Sequence, residues 1–165
     1  MPDSKIDFMK SRLSNLHYFF IFLLTLIGFS SCSDATDIND VVPYTRVQFE
    51  IHLVYYNDLD IPGKALYFDQ NDIINSAAGY RDHGIYIVNT GDGFIAMDAS
   101  CTHDVEADEH VEINEDNDAL GICPLCKSEF VFLSGGSVHV GPAKYDLKKY
   151  HTYYDQNKGT LRVTN

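Results

Sequence analysis

Cys101-Thr102-His103 and Cys123-Pro124-Leu125-Cys126 put four soft or borderline donors into two short runs, nineteen residues apart. Thiolate and imidazole are the ligands that hold zinc tetrahedrally and that ligate two-iron clusters. In each run the intervening residues bulge outward, so both donors of a run can reach one centre. Three thiolates and one imidazole make a complete four-ligand set. The chain has four cysteines, and Cys32, the one outside these runs, follows an apolar N-terminal stretch. Three cysteines cannot all pair in disulfides within one chain.

The segments flanking these runs read as strands. Ile85-Tyr86-Ile87-Val88 and Phe94-Ile95-Ala96-Met97 enclose Asn89-Thr90-Gly91-Asp92-Gly93, a hairpin by its turn chemistry, and the second strand leads to Cys101 and His103. Phe130-Val131-Phe132-Leu133 and Ser137-Val138-His139-Val140 form a second hairpin about Gly135-Gly136, emerging from Cys123 and Cys126. Upstream, Val47, Phe49, Ile51 and Leu53 alternate with Gln48, Glu50 and His52, the period of a half-buried strand with His52 on its polar face. Ala65 to Phe68 is a further short strand, and Asp69 to Asp82 is irregular with one short helical turn near Ile73. Tyr145 to Tyr154 and Thr160 to Val163 close the fold around an Asn157-Lys158-Gly159 turn. There is no long amphipathic helix and no repeat, so the expected class is all-β.

The stretch from Gly79 to the end resembles the Rieske family. The matching features are the hairpin running into Cys-x-His, then Cys-Pro-x-x with Ser128 behind it. Phe130, Gly135-Gly136, Gly141-Pro142-Ala143, Leu147 and Tyr150 follow in the same order. The resemblance implies a Rieske-like two-sheet β-sandwich with a small two-hairpin cluster-binding subdomain, at about residues 98–142 of a domain spanning 46–165. It also implies a [2Fe–2S] cluster: Cys101 and Cys123 on the inner iron, His103 and Cys126 on the outer one. One departure is central. The family has Cys-x-x-His as its second run, whereas here Cys126 takes the fourth position and Lys127 stands where glycine is usual. A thiolate in place of a neutral imidazole lowers the expected potential from the Rieske range, about −150 to +300 mV, towards the ~−400 mV of all-cysteine clusters. Phe130, where some high-potential relatives carry tyrosine, acts in the same direction. Ser128 matches the serine whose hydroxyl hydrogen-bonds cluster sulfur; its alternative role is to satisfy a turn amide.

Two other readings of the same four residues stay open. A Cys3His set is an ordinary structural zinc site. Alternatively, Cys123 and Cys126 form a disulfide with no metal bound, as an oxidising compartment permits. Lys10-Ser11-Arg12 lacks a twin arginine, so export is expected in the unfolded state, and a cluster would have to be assembled outside the cytoplasm. A thiol–disulfide oxidoreductase built on Cys123-x-x-Cys126 lacks the βαβ context such a motif needs.

Residues 1–31 read as an export signal. Lys5, Lys10 and Arg12 precede the apolar run Tyr18 to Phe29, which is shorter than the ~20 residues a spanning helix requires. Ser30-Ser31-Cys32 resembles a bacterial lipobox, with Cys32 as the lipidated residue and 32–45 as an acidic tether. The expected location is a bacterial cell envelope, with the protein lipid-anchored to a membrane. That signal holds three basic residues and two acidic ones, so the whole-chain charge of −12 becomes −13 without it. Such a charge argues against nucleic acid and against electrostatic binding to anionic lipid.

The remaining candidates are weaker. Asp104 to Asp118 carries eight carboxylates in fifteen residues. Set against a calcium-loop template, Asp116 to Gly121 leaves position five apolar and lacks the closing glutamate, so a solvated acidic loop is expected. His110, His139 and His151 are expected at the surface, His110 also as a spare ligand. No nucleophile–base pair or cofactor loop is visible. The expectation is therefore a one-electron carrier serving an unknown redox partner protein, or a binding module on the same scaffold, rather than a stand-alone enzyme.

Overall fold

The computed structural model describes residues 37–165. Residues 1–31, expected to be an export signal, and Cys32 lie outside the described residues. Among the described residues, ten strands form two antiparallel sheets. A six-stranded sheet has the order β1-β10-β9-β4-β3-β2, and a four-stranded sheet has the order β5-β6-β7-β8. In chain order, β1 is Gln48–His52, β2 Ala65–Phe68, β3 Ile85–Asn89, β4 Phe94–Asp98, β5 Glu112–Asn114 and β6 Asn117–Ile122. Then come β7 Glu129–Val131, β8 Ser137–Val140, β9 Lys149–Asp155 and β10 Thr160–Thr164. The all-β expectation is met, and among the described residues no helix is long and apolar enough to cross a membrane.

Alternation sets which side chains face which core. In β3, Ile85 and Ile87 join one apolar cluster with Phe49, Ile51, Phe68, Leu161 and Val163. Tyr86 and Val88, on the opposite face of the same strand, join a second cluster with Met97, Val111, Phe130, Phe132 and Leu147. A strand buried on both faces reads as a continuous apolar run, and Ile-Tyr-Ile-Val is such a run. Cys101 and Cys123 belong to the second cluster, between the two sheets. Tyr86 fastens that layer by donating its hydroxyl to the Val111 carbonyl at 2.8 Å.

The acidic stretch differs from expectation. Residues 104–118 are not one solvated loop, because Glu112–Asn114 and Asn117–Ile122 pair as β5 and β6. The cause is apolar: Val111 is fully buried, and Gly121 lets the strand approach Phe132, whose ring would lie 2.7 Å from an added Cβ. Asn114 closes the turn by accepting the Asp116 amide. The tether also differs over part of its length. Asp37 caps a one-turn helix, α1, at Ile38–Val41, and Val42 is fully buried. The buried Lys148 ammonium donates to the carbonyls of Val42 and Pro43 at 3.2 and 3.0 Å. Near Ile73 the chain makes turns and no helix, although Ile73 itself is buried. A short 3₁₀ turn occurs instead at Tyr80–Asp82.

Candidate metal centre

Each donor run leaves a different sheet. Cys101 follows β4 of the large sheet, whereas Cys123 and Cys126 occupy the β6–β7 connection of the small one. The Cys-Pro-Leu-Cys loop is a tight knuckle. Lys127 N–H donates to the Cys123 carbonyl at 3.0 Å, and Cys123 N–H to the Ser128 carbonyl at 2.9 Å. Closing this turn puts Lys127 at φ 60°, in the left-handed region that favours glycine. The two loops are tied to a third segment, residues 143–145. Ser128 Oγ accepts Ala143 N–H at 2.8 Å, and Thr102 Oγ1 donates to the Tyr145 carbonyl.

The thiols of Cys101, Cys123 and Cys126 converge, with all three sulfurs within 4.8 Å of one another. Cys101 Sγ and Cys126 Sγ are 3.5 Å apart, and all three are free thiols. Cys101 and Cys123 are buried, Cys126 half-buried. His103 is exposed and is not part of this converging set. Four donors were anticipated by the motifs; the fold gathers the three sulfurs and leaves the imidazole in solvent.

The sulfurs differ electrostatically. Burial, helped by neighbouring Cys123, pushes the Cys101 thiol up to about 12, although the amides of His103 and Asp104 donate to it. Burial also opposes ionisation of Cys126. There it is outweighed by hydrogen bonds from the Ser128 side chain and amide and from the other two sulfurs, which hold this thiol below its ordinary value. Ser128 Oγ lies 3.1 Å from Cys126 Sγ and is fully buried. Its hydroxyl oxygen thus takes the second role considered for it, satisfying a turn amide, and it also meets the Cys126 thiol.

Other histidines fall as follows. His52, His139 and His151 are exposed, as expected. His110 is not a free surface residue: it is half-buried, bridges to Ser100, and stacks on Tyr67 with ring centroids 4.9 Å apart. Sequence reasoning missed the polar group just before Cys101. Asp98 is fully buried and accepts the Tyr150 hydroxyl at 2.6 Å and the amides of Tyr80 and Ser100. A carboxylate ending an otherwise apolar strand was the available signal. His83, which meets Ser100, had none.

No family model matches the chain, and no curated protein matches it. Several solved structures are similar. The ferredoxin of carbazole 1,9a-dioxygenase from Nocardioides aromaticivorans IC177 is 17% identical with a TM-score of 0.42, covering 73% of this chain and 98% of that one. The plasma membrane Rieske protein PetC3 from Synechocystis PCC 6803 is 20% identical at 0.43, covering 74% and 100%. A chain from the complex of reduced oxygenase and oxidized ferredoxin in carbazole 1,9a-dioxygenase is 18% identical at 0.40, covering 62% and 82%.

Proposed function

We propose that the chain is a Rieske-like iron–sulfur protein of a bacterial envelope, a one-electron carrier whose [2Fe–2S] group is held by Cys101, Cys123, Cys126 and His103. The observation that carries this reading is the convergence of three sulfurs from two loops of different sheets. Their order along the chain and the Gly-Pro segment after them match the Rieske pattern. The donor set fits: three thiols are gathered, two of them screened from water, and amide and hydroxyl donors point at sulfur. Such a group supplies a reversible one-electron couple.

The chain's own residues then have distinct tasks. Cys101 and Cys123 lie in the apolar layer with Phe130, Phe132 and Leu147, which excludes water from the inner half of the site. Ser128 and the amides around it hold negative charge on Cys126, the sulfur nearest the surface. His103 is exposed at the rim of the site and would supply the fourth donor, on the side open to a partner protein. The carboxylates of residues 104–109 border that rim and disfavour added electrons. With three thiolates, the expected potential lies between about −400 mV and the lower end of the Rieske range. Lipid on Cys32 would hold the protein at the membrane.

Zinc is the second reading, and one distance favours it. The 3.5 Å between Cys101 Sγ and Cys126 Sγ is close to the edge of a zinc–thiolate tetrahedron, about 3.8 Å for bonds of about 2.3 Å. Two ligands on different irons would stand further apart. Protein purified without air separates the two: a visible chromophore that bleaches on reduction, with an EPR signal in the reduced state, supports the carrier. A colourless protein containing zinc overturns it. Fatty-acid labelling that is lost on Cys32→Ala tests the anchor.

A further inference from the structure

Residues 79–84 grip the Cys101-x-His103 run on both sides. Ahead of it, the Asp98 carboxylate accepts Tyr80 N–H at 2.7 Å with one oxygen and Ser100 N–H at 2.8 Å with the other. His83 Nδ1 lies 2.9 Å from Ser100 Oγ, and Ala99 N–H donates to the Gly84 carbonyl. Behind the run, Glu106 accepts the Tyr80 hydroxyl at 2.9 Å and the Arg81 guanidinium at 3.2 Å. The same guanidinium reaches the Glu106 carbonyl at 3.0 Å.

The backbone that makes these contacts is unusual. Gly79, Arg81, Asp82 and Gly84 all have positive φ, at 80°, 55°, 60° and 97°, and two of them carry side chains. Such a backbone persists only where its surroundings over-determine it. His83 is buried, and its Nε2 has no hydrogen-bond partner among the described residues. Whichever nitrogen carries the proton, the ring makes one hydrogen bond, to Ser100. The orientation of the ring is thus set by that single link, while the His83 backbone is held separately, its N–H by the Tyr80 carbonyl and its carbonyl by the Tyr67 hydroxyl.

We infer that residues 79–84 are a positioning clamp for the first donor loop, with the His83–Ser100 link and the Arg81–Glu106 link as its two catches. The clamp presets Cys101 before any metal arrives. It rests on the reading of Cys101 as a donor but not on which metal is bound.

The test uses the reduced, metal-free protein and follows iodoacetamide labelling of each cysteine by mass spectrometry. Cys101 is fully screened, so its labelling reports local opening of its loop. In His83→Leu, which keeps bulk but no hydrogen bond, Cys101 labels about tenfold faster while Cys123 stays within about twofold. His83→Asn, whose amide stands near the place of Nδ1, brings the rate back towards wild type. An unchanged Cys101 rate in His83→Leu overturns the inference, as does equal acceleration of all three thiols. Ser100→Ala, which removes only the hydroxyl, is read by the same criteria should His83→Leu not fold. Iron content is measured separately: an accelerated Cys101 in a chain that never holds iron leaves the clamp standing and removes the carrier reading.

Discussion

Ser128 Oγ sits 3.1 Å from Cys126 Sγ while accepting the Ala143 amide at 2.8 Å. With that amide occupying a lone pair, the hydroxyl proton is free to turn to the sulfur once the thiol ionises. Ser128→Ala therefore raises the Cys126 pKa. It also leaves a buried amide unpartnered, at a cost of about 1–3 kcal/mol. A pH–rate profile of thiol alkylation on metal-free protein reads the first effect: the Cys126 limb moves to higher pH. A limb that stays put, or moves down, contradicts the role given to Ser128. In wild type the same experiment labels Cys126 before Cys101, whose thiol burial pushes up to about 12.

Lys127 adopts φ 60° at the close of the Cys-Pro-Leu-Cys knuckle, and its side chain is exposed. A non-glycine residue there carries a backbone penalty of about 1–2 kcal/mol. Lys127→Gly relieves that penalty, and the flexibility it adds to the unfolded chain takes back part of the gain. The expected net result is about 0.5–1 kcal/mol of stabilisation in urea titration. A loss of stability would show that the lysine side chain contributes something the geometry does not reveal.

Gly84 has φ 97°, and a Cβ placed there would lie 2.2 Å from the Tyr67 ring. That ring is held by its hydroxyl, which donates to the His83 carbonyl at 2.7 Å, and by stacking on His110. Gly84→Ala combines a left-handed backbone with overpacking, about 2–4 kcal/mol of destabilisation together. Urea unfolding measures it; a cost below about 1 kcal/mol means the 79–84 segment yields easily.

Burial is the first cause that lowers the pKa of His83 below 6.5. Arg81 and His110 add to it, while Asp98 and Asp108 oppose it. On acidification the unfolded chain takes up this proton before the folded one does. The contribution to stability is therefore complete above pH 6.5 and is lost as pH falls through 6.5 towards the lower folded-state value. Urea midpoints at about pH 7.5 and pH 5.5 should fall further for wild type than for His83→Leu, which has no proton to gain. Equal falls in the two proteins would show that His83 titrates alike in both states.

Much of the fold could be read from alternation, because period two marks strands wherever one face is dry. The strands from Val47, Ala65, Ile85, Phe94, Ser137 and Thr160 all appear near their expected places. The β5–β6 hairpin did not, since surface carboxylates outnumber the two residues, Val111 and Gly121, that pin it to Phe132. Of the candidate site, the cysteines were legible because sulfur donors at ligand spacing have few other uses. The side-chain direction of His103 was not, because motif spacing fixes where a donor sits and not which way it points. His83 and Asp98 escaped notice for a related reason: hydrogen bonds between residues remote in sequence leave no local pattern.

The most direct measurement is a count of metal and acid-labile sulfide per chain, in the full chain purified without air. The account predicts about two iron and two sulfide per chain, both lost in Cys101→Ser and Cys123→Ser. One zinc with no sulfide, or a metal-free chain two hydrogens lighter through a Cys123–Cys126 bond, would contradict it.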